Sequence, residues 1–435
     1  LQRIVPAESS VERQHGAVKF ALITGTALGV IAALGLTLSA EWLASFVATA
    51  PEEAGRIPAA ISLFAWSLPL WIFVEIATAA ARAKRAFGPE IRLRIFWEQV
   101  ARLIFAAGFF ALGFDLTGLL LGHMLSLAVT AILSVLLLGR YYDLTLLMRA
   151  PMPDALRRSV LNSGAAMMPP ALARRAYNDL PPILLNLMIP GASGATAAAL
   201  YGIARKIASI PLIVRQSFLY VLSPLASAQA ASDRSEMLPM YRFSTHMSLL
   251  LAMPLAGFMI LVASDILSAF APGAAAALPV LVILLVARAG EAVIGPATPI
   301  VEMVGHRAIP LLNSVIGILI WLGLALWLVP DHGALGMAIS VSVAVVASAW
   351  AAVIELRISD RLSPFGSGFW RAGVAGTVVI LLLWTIGEAL DPYGARIRAI
   401  GLFTIFWPSL WLALKFGLGD EDKAALGKLA ARLRL

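Results

Sequence analysis

The sequence predicts an all-α membrane protein of about 12 transmembrane helices, on three observations. Of its 435 residues, 60% are hydrophobic and only 13% charged, far from the roughly 25% charged of a soluble domain. The mean hydropathy is +0.87. The apolar runs last about 20 to 30 residues, the length a helix needs to cross a hydrocarbon core. The connections between them alternate in basic charge. Within a bilayer every backbone N–H and C=O must be satisfied internally, so only helices or closed barrels can span it. Barrel strands would alternate over about 10 residues, and no stretch here does.

The candidate spans, in order, are 17–38, 58–81, 92–113, 117–138, 159–189, 195–226, 243–268, 276–301, 309–329, 333–354, 371–389 and 395–414. A longer connection, 39–57, reads as a short helix lying at the interface. The hairpin RAKRAFGPEIRL (82–93) separates the second and third spans, and this connection with the residue after it carries Arg82, Lys84, Arg85, Arg92 and Arg94. Every other connection is similarly basic: Arg140, Arg149, Arg157 and Arg158, then Arg234 and Arg242, Arg307, Arg357, Arg361 and Arg371, and a tail with Lys415, Lys423, Lys428, Arg432 and Arg434. The N-terminal Arg3, Arg13 and Lys19 fall on the same side. The opposite side has only Arg56, Arg396 and Arg398, and apart from 39–57 and 390–397 its connections are turns as short as LGFDLT, PGASG, FAPGAA and PDHGA. Basic residues collect on the cytoplasmic face, so both ends of the chain are expected there, at an inner membrane.

No cysteine is present, which leaves no disulfide framework and no thiolate metal site. The histidines, His15, His123, His246, His306 and His332, have no ligand spacing, so neither a metal nor a cofactor is expected. The chain opens LQRIVPAESS, without an initiator Met or a signal peptide, which suggests a start inside a longer protein.

Seven basic residues fall within the spans: Arg102, Arg174, Arg175, Arg205, Lys206, Arg215 and Arg288. At the centre of a lipid-facing helix each would cost at least about 2.5 to 3.5 kcal/mol, so each should face protein or a wet cavity. Arg174 and Arg175 lie mid-span. Arg205 and Lys206, about ten residues into the next helix, reach a similar depth. Asp179, at i+4 from Arg175, and Glu291, near Arg288, offset part of this charge. Guanidinium groups bind phosphate bidentately, and a net cationic cavity points to an anionic ligand, a phosphate or pyrophosphate. The alternative is that Arg175 with Asp179, Arg288 with Glu291 and Glu98 with Arg102 are ion pairs that only hold helices together. Arg215 could snorkel to the cytoplasmic interface, and Glu75 could carry a proton or pair with a basic loop residue. Pro169, Pro170, Pro181 and Pro182 flank the arginines, so a broken helix beside buried charge is expected there.

A duplication is also legible. RAKRAFGPEIRL matches EMVGHRAIPLL (302–312), and DLTGLLLGHMLSLAV (115–129) matches DHGALGMAISVSVAV (331–345), each six spans apart in the same orientation. With AALYGIARKIASIPLIVRQSFLYVLSPLASA (198–228), DILSAFAPGAAAALPVLVIL (265–284), IGPATPIVEMVGHRAIPLLNSV (294–315) and LVPDHGALGMAIS (328–340), the chain resembles the polysaccharide-transport, O-antigen flippase-like branch of the multidrug, oligosaccharidyl-lipid and polysaccharide (MOP) exporter superfamily.

The resemblance implies two pseudo-symmetric six-helix lobes around a central cavity, with the spans seen here standing as the third to fourteenth of a fourteen-helix exporter. Residues 1–150 would be the N-terminal lobe without its first two helices, 151–356 the C-terminal lobe, and 357–435 two further helices with the basic tail. It implies transport rather than catalysis, by alternating access of a polyprenyl-pyrophosphate-linked oligosaccharide. Arg174, Arg175, Arg205, Lys206 and Arg288 would hold the head group. Asp179, Glu291, Glu98 and Arg102 would act as charge or coupling partners. Membrane lipids and a polysaccharide polymerase or glycosyltransferase are the implied partners, with no nucleic acid. Two other readings stay open: a cation-coupled multidrug exporter of the same superfamily, and a membrane-embedded oligosaccharide polymerase or ligase, which would usually need a larger external loop.

Overall fold

The structure, a computed structural model, describes residues 1, 4–47, 49, 54–84, 86, 88–114, 116–214, 237–271, 273–294, 296–304 and 308–435. The chain divides into two compact units, Leu1–Met168 and Pro169–Leu435. Among the described residues there is no strand, and nine helices are long and apolar enough to cross a membrane. The protein is an all-helical, multi-pass membrane protein.

In the first unit, α1 (Val11–Leu38), α2 (Ile57–Ala65), α3 (Ser67–Ala83), α4 (Glu98–Ala111) and α5 (Leu116–Tyr141) form the bundle, and α6 (Asp154–Met188) leads out of it. The helix α3 packs against both α1 and α5, and α4 packs against α5. Small residues let the backbones approach: Ala17 of α1 and Ala77 and Ala80 of α3 are fully buried. A Cβ on Gly29 would meet the Cα of Pro69 at 2.9 Å.

The second unit holds α7 (Gly191–Ala208), α8 (Met237–Leu261), α9 (Ala263–Phe270), α10 (Leu278–Ile294), α11 (Ala297–Val304), α12 (Ala308–Ser359), α13 (Ser367–Leu390), α14 (Ala395–Gly417) and the short α15 (Asp420–Leu426). Its core centres on Trp321, Tyr201, Leu281, Leu285 and Met337. The C-terminal pair, α13 and α14, packs on α8 through Leu250, Leu383, Leu402 and Phe406.

Four of the twelve expected spans take a different form. The ninth and tenth are the two arms of α12, turned at Gly333 (φ 53°, ψ −128°), a left-handed backbone that favours glycine. Asn313 Nδ2 of the first arm donates to Glu355 Oε2 of the second at 2.6 Å. The third span opens with a π-helix, Ile91–Trp97, before α4. The fifth is α6, 35 residues long, whose charges keep it from being as apolar as the rest. Its helix is also unbroken through Pro169, Pro170, Pro181 and Pro182, against the interruption the prolines suggest. A proline deletes one backbone donor, and packed neighbours or water can re-satisfy the freed carbonyl without ending the helix.

Candidate functional site

Two helices of the second unit carry the mid-span cations. The sequence YGIARKIA ends α7 with Tyr201, Ala204, Ile207 and Ala208 buried against the unit's core. That buried stripe, at helical spacing, fixes the rotation of α7. It leaves Arg205 emerging at its edge and Lys206 exposed. Arg205 Nη1 reaches Asp179 Oδ1 of α6 at 3.3 Å. Asp179, which lies one turn from Arg175, thus also reaches across to the next helix. Arg175 itself is exposed. Arg174 lies on the same turn of α6, but its side chain is outside the described residues, as is Arg215 entirely.

The remaining candidates are apart from this pair of helices or closed into pairs. Arg288 and Glu291, on one turn of α10, are hydrogen-bonded to each other, with side chains only 13% and 5% exposed. Pro211, Leu212, Ser248 and Ala252 line a pocket with them. In the first unit Glu98 Oε1 accepts from Arg102 Nη2 at 2.6 Å, the spacing-based pair. Glu75 binds Arg94 at 2.7 Å, so the pairing reading of Glu75 holds in this structure. Among the described residues no group of three or more His, Cys, Asp or Glu could hold a metal.

Sequence spacing missed three polar links in the second unit. Arg398 Nη2 donates to both carboxylate oxygens of Asp265, at 3.1 and 2.9 Å, and Nη1 to Asp391 at 2.7 Å. His246 Nδ1 meets Asp422 Oδ2 at 2.9 Å, both buried, which ties the C-terminal α15 to α8. The Asn313 to Glu355 bond across α12 is the third. Only the alternation of charged turns hinted at the first, since it places Asp265, Asp391 and Arg398 at the same end of their helices.

At the loop ends of the first unit, Asp143 caps the helix Leu144–Arg149 by accepting from the backbone N–H of Thr145 and Leu146. Those donors hold its carboxyl below the ordinary Asp value. Burial pushes the neighbouring Tyr142 hydroxyl up to about 12.

No family model matches the chain, and no curated protein matches it in sequence. Solved structures do. The lipid II flippase MurJ in an inward closed conformation superposes with a TM-score of 0.67 at 10% identity, over 95% of this chain and 87% of that one. A MATE transporter from Vibrio cholerae gives 0.59 at 16% identity, covering 82% of this chain and 84% of its own. A MOP-superfamily transporter from Pyrococcus furiosus, described by the reversed polarity of its binding pocket, gives 0.53 at 15% identity, over 86% and 83% of the two chains. The chain therefore has the fold of the MOP exporters, the superfamily that its sequence motifs resemble.

Proposed function

We propose that this protein is a flippase that moves a polyprenyl-pyrophosphate-linked oligosaccharide from the cytoplasmic to the external leaflet of the inner membrane, both chain ends being cytoplasmic. The observation that carries the reading is the charge balance on α6 and α7: Arg174, Arg175, Arg205 and Lys206 stand around mid-span with Asp179 as the carboxylate among them. Arg205 and Asp179 already bridge the two helices. Such a site attracts a multiply charged anion and repels organic cations.

Arg174, Arg175, Arg205 and Lys206 bind the pyrophosphate, and the Asp179 contact to Arg205 opens as phosphate oxygens replace the carboxylate. Arg288 joins them only if Glu291 releases it, so Glu291 and Asp179 are the groups through which a coupling ion would act. In the first unit Glu98 and Arg102 balance each other and carry no ligand. Residues 1–150 and 151–356 serve as the two rocking lobes and 357–435 as an accessory pair of helices. The polyprenyl tail stays in lipid. The product feeds a polysaccharide polymerase or glycosyltransferase.

A cation-coupled multidrug exporter is the second reading, favoured by the likeness of fold to MATE transporters. Liposomes containing the protein and a fluorescent polyprenyl-pyrophosphate sugar separate the two. The expected result is protein-dependent access of the labelled lipid to the far leaflet, reduced roughly 10- to 100-fold by Arg174→Ala with Arg175→Ala, the loss of two charge-assisted contacts. Normal flipping by that variant, or export of an organic cation with no lipid movement, would overturn the proposal. A lengthened glycan would instead show a polymerase.

A further inference from the structure

The third span of the first unit and the turn before it carry Glu90, Arg94, Glu98 and Arg102, one charge at every fourth position with alternating sign. In an unbroken α-helix this spacing stacks all four into a single ladder along one face. The structure cuts the ladder in the middle. Residues Ile91–Trp97 are a π-helix, and the N–H of Glu98 donates to the carbonyl of Leu93, five residues back, where an α-helix would use Arg94. The Arg94 carbonyl is instead reached by Gln99 Nε2 at 3.4 Å.

The wider turn moves Arg94 off Glu98 and onto the neighbouring helix. Its Nη1 lies 2.7 Å from Glu75 Oε2 of α3 and 3.7 Å from Glu90 Oε1. Glu90 is also held by Arg82 at 2.6 Å, and Glu98 keeps Arg102 at 2.6 Å. Every acid in the group therefore has a cation in this register. The α register would pair them as well, through Glu90, Arg94, Glu98 and Arg102, and would leave only Glu75 without Arg94.

We propose that residues 91–97 are a two-register switch, held in the π form while Glu75 binds Arg94 and wound into the α form, with an Arg94–Glu98 pair, when Glu75 loses its charge. The two registers differ by one ion pair, so a change at one carboxylate decides between them. That carboxylate is Glu75, whose side chain is 43% exposed, whereas that of Glu98 is 8% exposed. Removing the π turn rotates the segment relative to α4 by about 100°, one residue of helical twist. Glu75 is linked through Arg94 to Glu90, which precedes the π segment, and through Glu90 to Arg82 on its own helix. The other charged or titratable groups on the elements beside it are Arg92 on the π segment, Glu98 and Arg102 on α4, His123, Arg140 and Tyr141 on α5, and Glu12, Arg13, His15 and Lys19 on α1. Of these, Glu75 is the acid that the π register alone requires. Neutralising it therefore sends the segment to the α form.

The chain has no cysteine, so single-cysteine reporters need no background removal. Leu93 is buried and Ile95 is 58% exposed. In the purified full chain, Glu75→Gln is expected to raise maleimide labelling of Leu93→Cys relative to Ile95→Cys by about threefold or more. Adding Glu98→Gln, which removes the alternative partner, is expected to make that rise smaller. Glu75→Ala removes the same charge with a different side chain and is expected to shift the ratio the same way. An unchanged ratio in both Glu75→Gln and Glu75→Ala overturns the switch. If one of the two variants does not fold, an unchanged ratio in the other does so alone.

Discussion

Among single residues, Arg398 carries the most concentrated structural load. It takes Asp265 bidentately and Asp391 with its other nitrogen, so it joins the start of α14 to α9 and to the turn after α13. Its side chain is 22% exposed and that of Asp265 15%, enough enclosure for the contact to count. Arg398→Ala strands the enclosed Asp265 carboxylate and is expected to cost about 2 to 3 kcal/mol in reversible unfolding in detergent. Arg398→Lys should recover only part, because a lysine cannot match the paired oxygens. Tyr142 plays a comparable part in the first unit. Its hydroxyl donates to the carbonyl of Ala80 at 2.9 Å, and burial raises its pKa to about 12. A raised folded pKa makes its contribution complete below the unfolded value of about 10 and lost as pH climbs towards 12. Tyr142→Phe should therefore cost about 1 kcal/mol at neutral pH and flatten the alkaline fall of the unfolding curve. Residue pairs were legible in the sequence where one helix carries both partners, as for Glu98 with Arg102 and Arg288 with Glu291. Arg398 with Asp265 and His246 with Asp422 stand 133 and 176 positions apart, and no periodicity links residues across such a distance.

Elements were more legible than pairs, because a span announces itself by length and hydropathy alone. The exceptions have physical causes. A π turn uses the same residues as an α turn, so nothing in IRLRIFW foretells it except the charge ladder that it interrupts. The prolines of α6 report a missing donor, which is not the same as a helix end. The two arms of α12 pack closely around the turn, and Gly336 shows how closely. A Cβ there would overlap the backbone carbonyl of Leu328, which cannot move aside as a side-chain tip can. Gly336→Ala is expected to destabilise the hairpin by about 1 to 3 kcal/mol, the usual cost of overpacking. Gly323, in the first arm, has nothing within 4 Å of its would-be Cβ. Gly323→Ala should leave stability unchanged or raise it by up to about 1 kcal/mol through helix propensity. Thermal unfolding of the two variants side by side tests the hairpin packing, since a uniform loss in both would contradict it.

At the scale of the whole molecule, the proposed substrate and membrane orientation rest on charge distribution rather than on fold. Which helices carry the excess of cations was legible in the sequence, and the proposed head-group site rests on that. The contact of Arg205 with Asp179 was not, because it joins two helices. Orientation follows from the connections. At one end of α13 and α14, Arg371 Nε donates to the Phe416 carbonyl at 2.6 Å and Lys423 Nζ to the Lys415 carbonyl at 2.9 Å, in the company of Arg357 and Arg361. At the other end, Arg398 is neutralised by Asp265 and Asp391, which leaves Arg396 as the basic residue of that turn. The basic residues thus collect at the tail end, and the tail is expected on the cytoplasmic side. Tyr393 and Leu429 are both well exposed, at opposite ends of α14. In spheroplasts, Tyr393→Cys should react with a membrane-impermeant maleimide directly, and Leu429→Cys only after permeabilisation. The reverse pattern would invert the whole bundle and put the cation-rich tail outside. It would also turn the direction of the proposed lipid movement around, because the basic connections would then face the external leaflet.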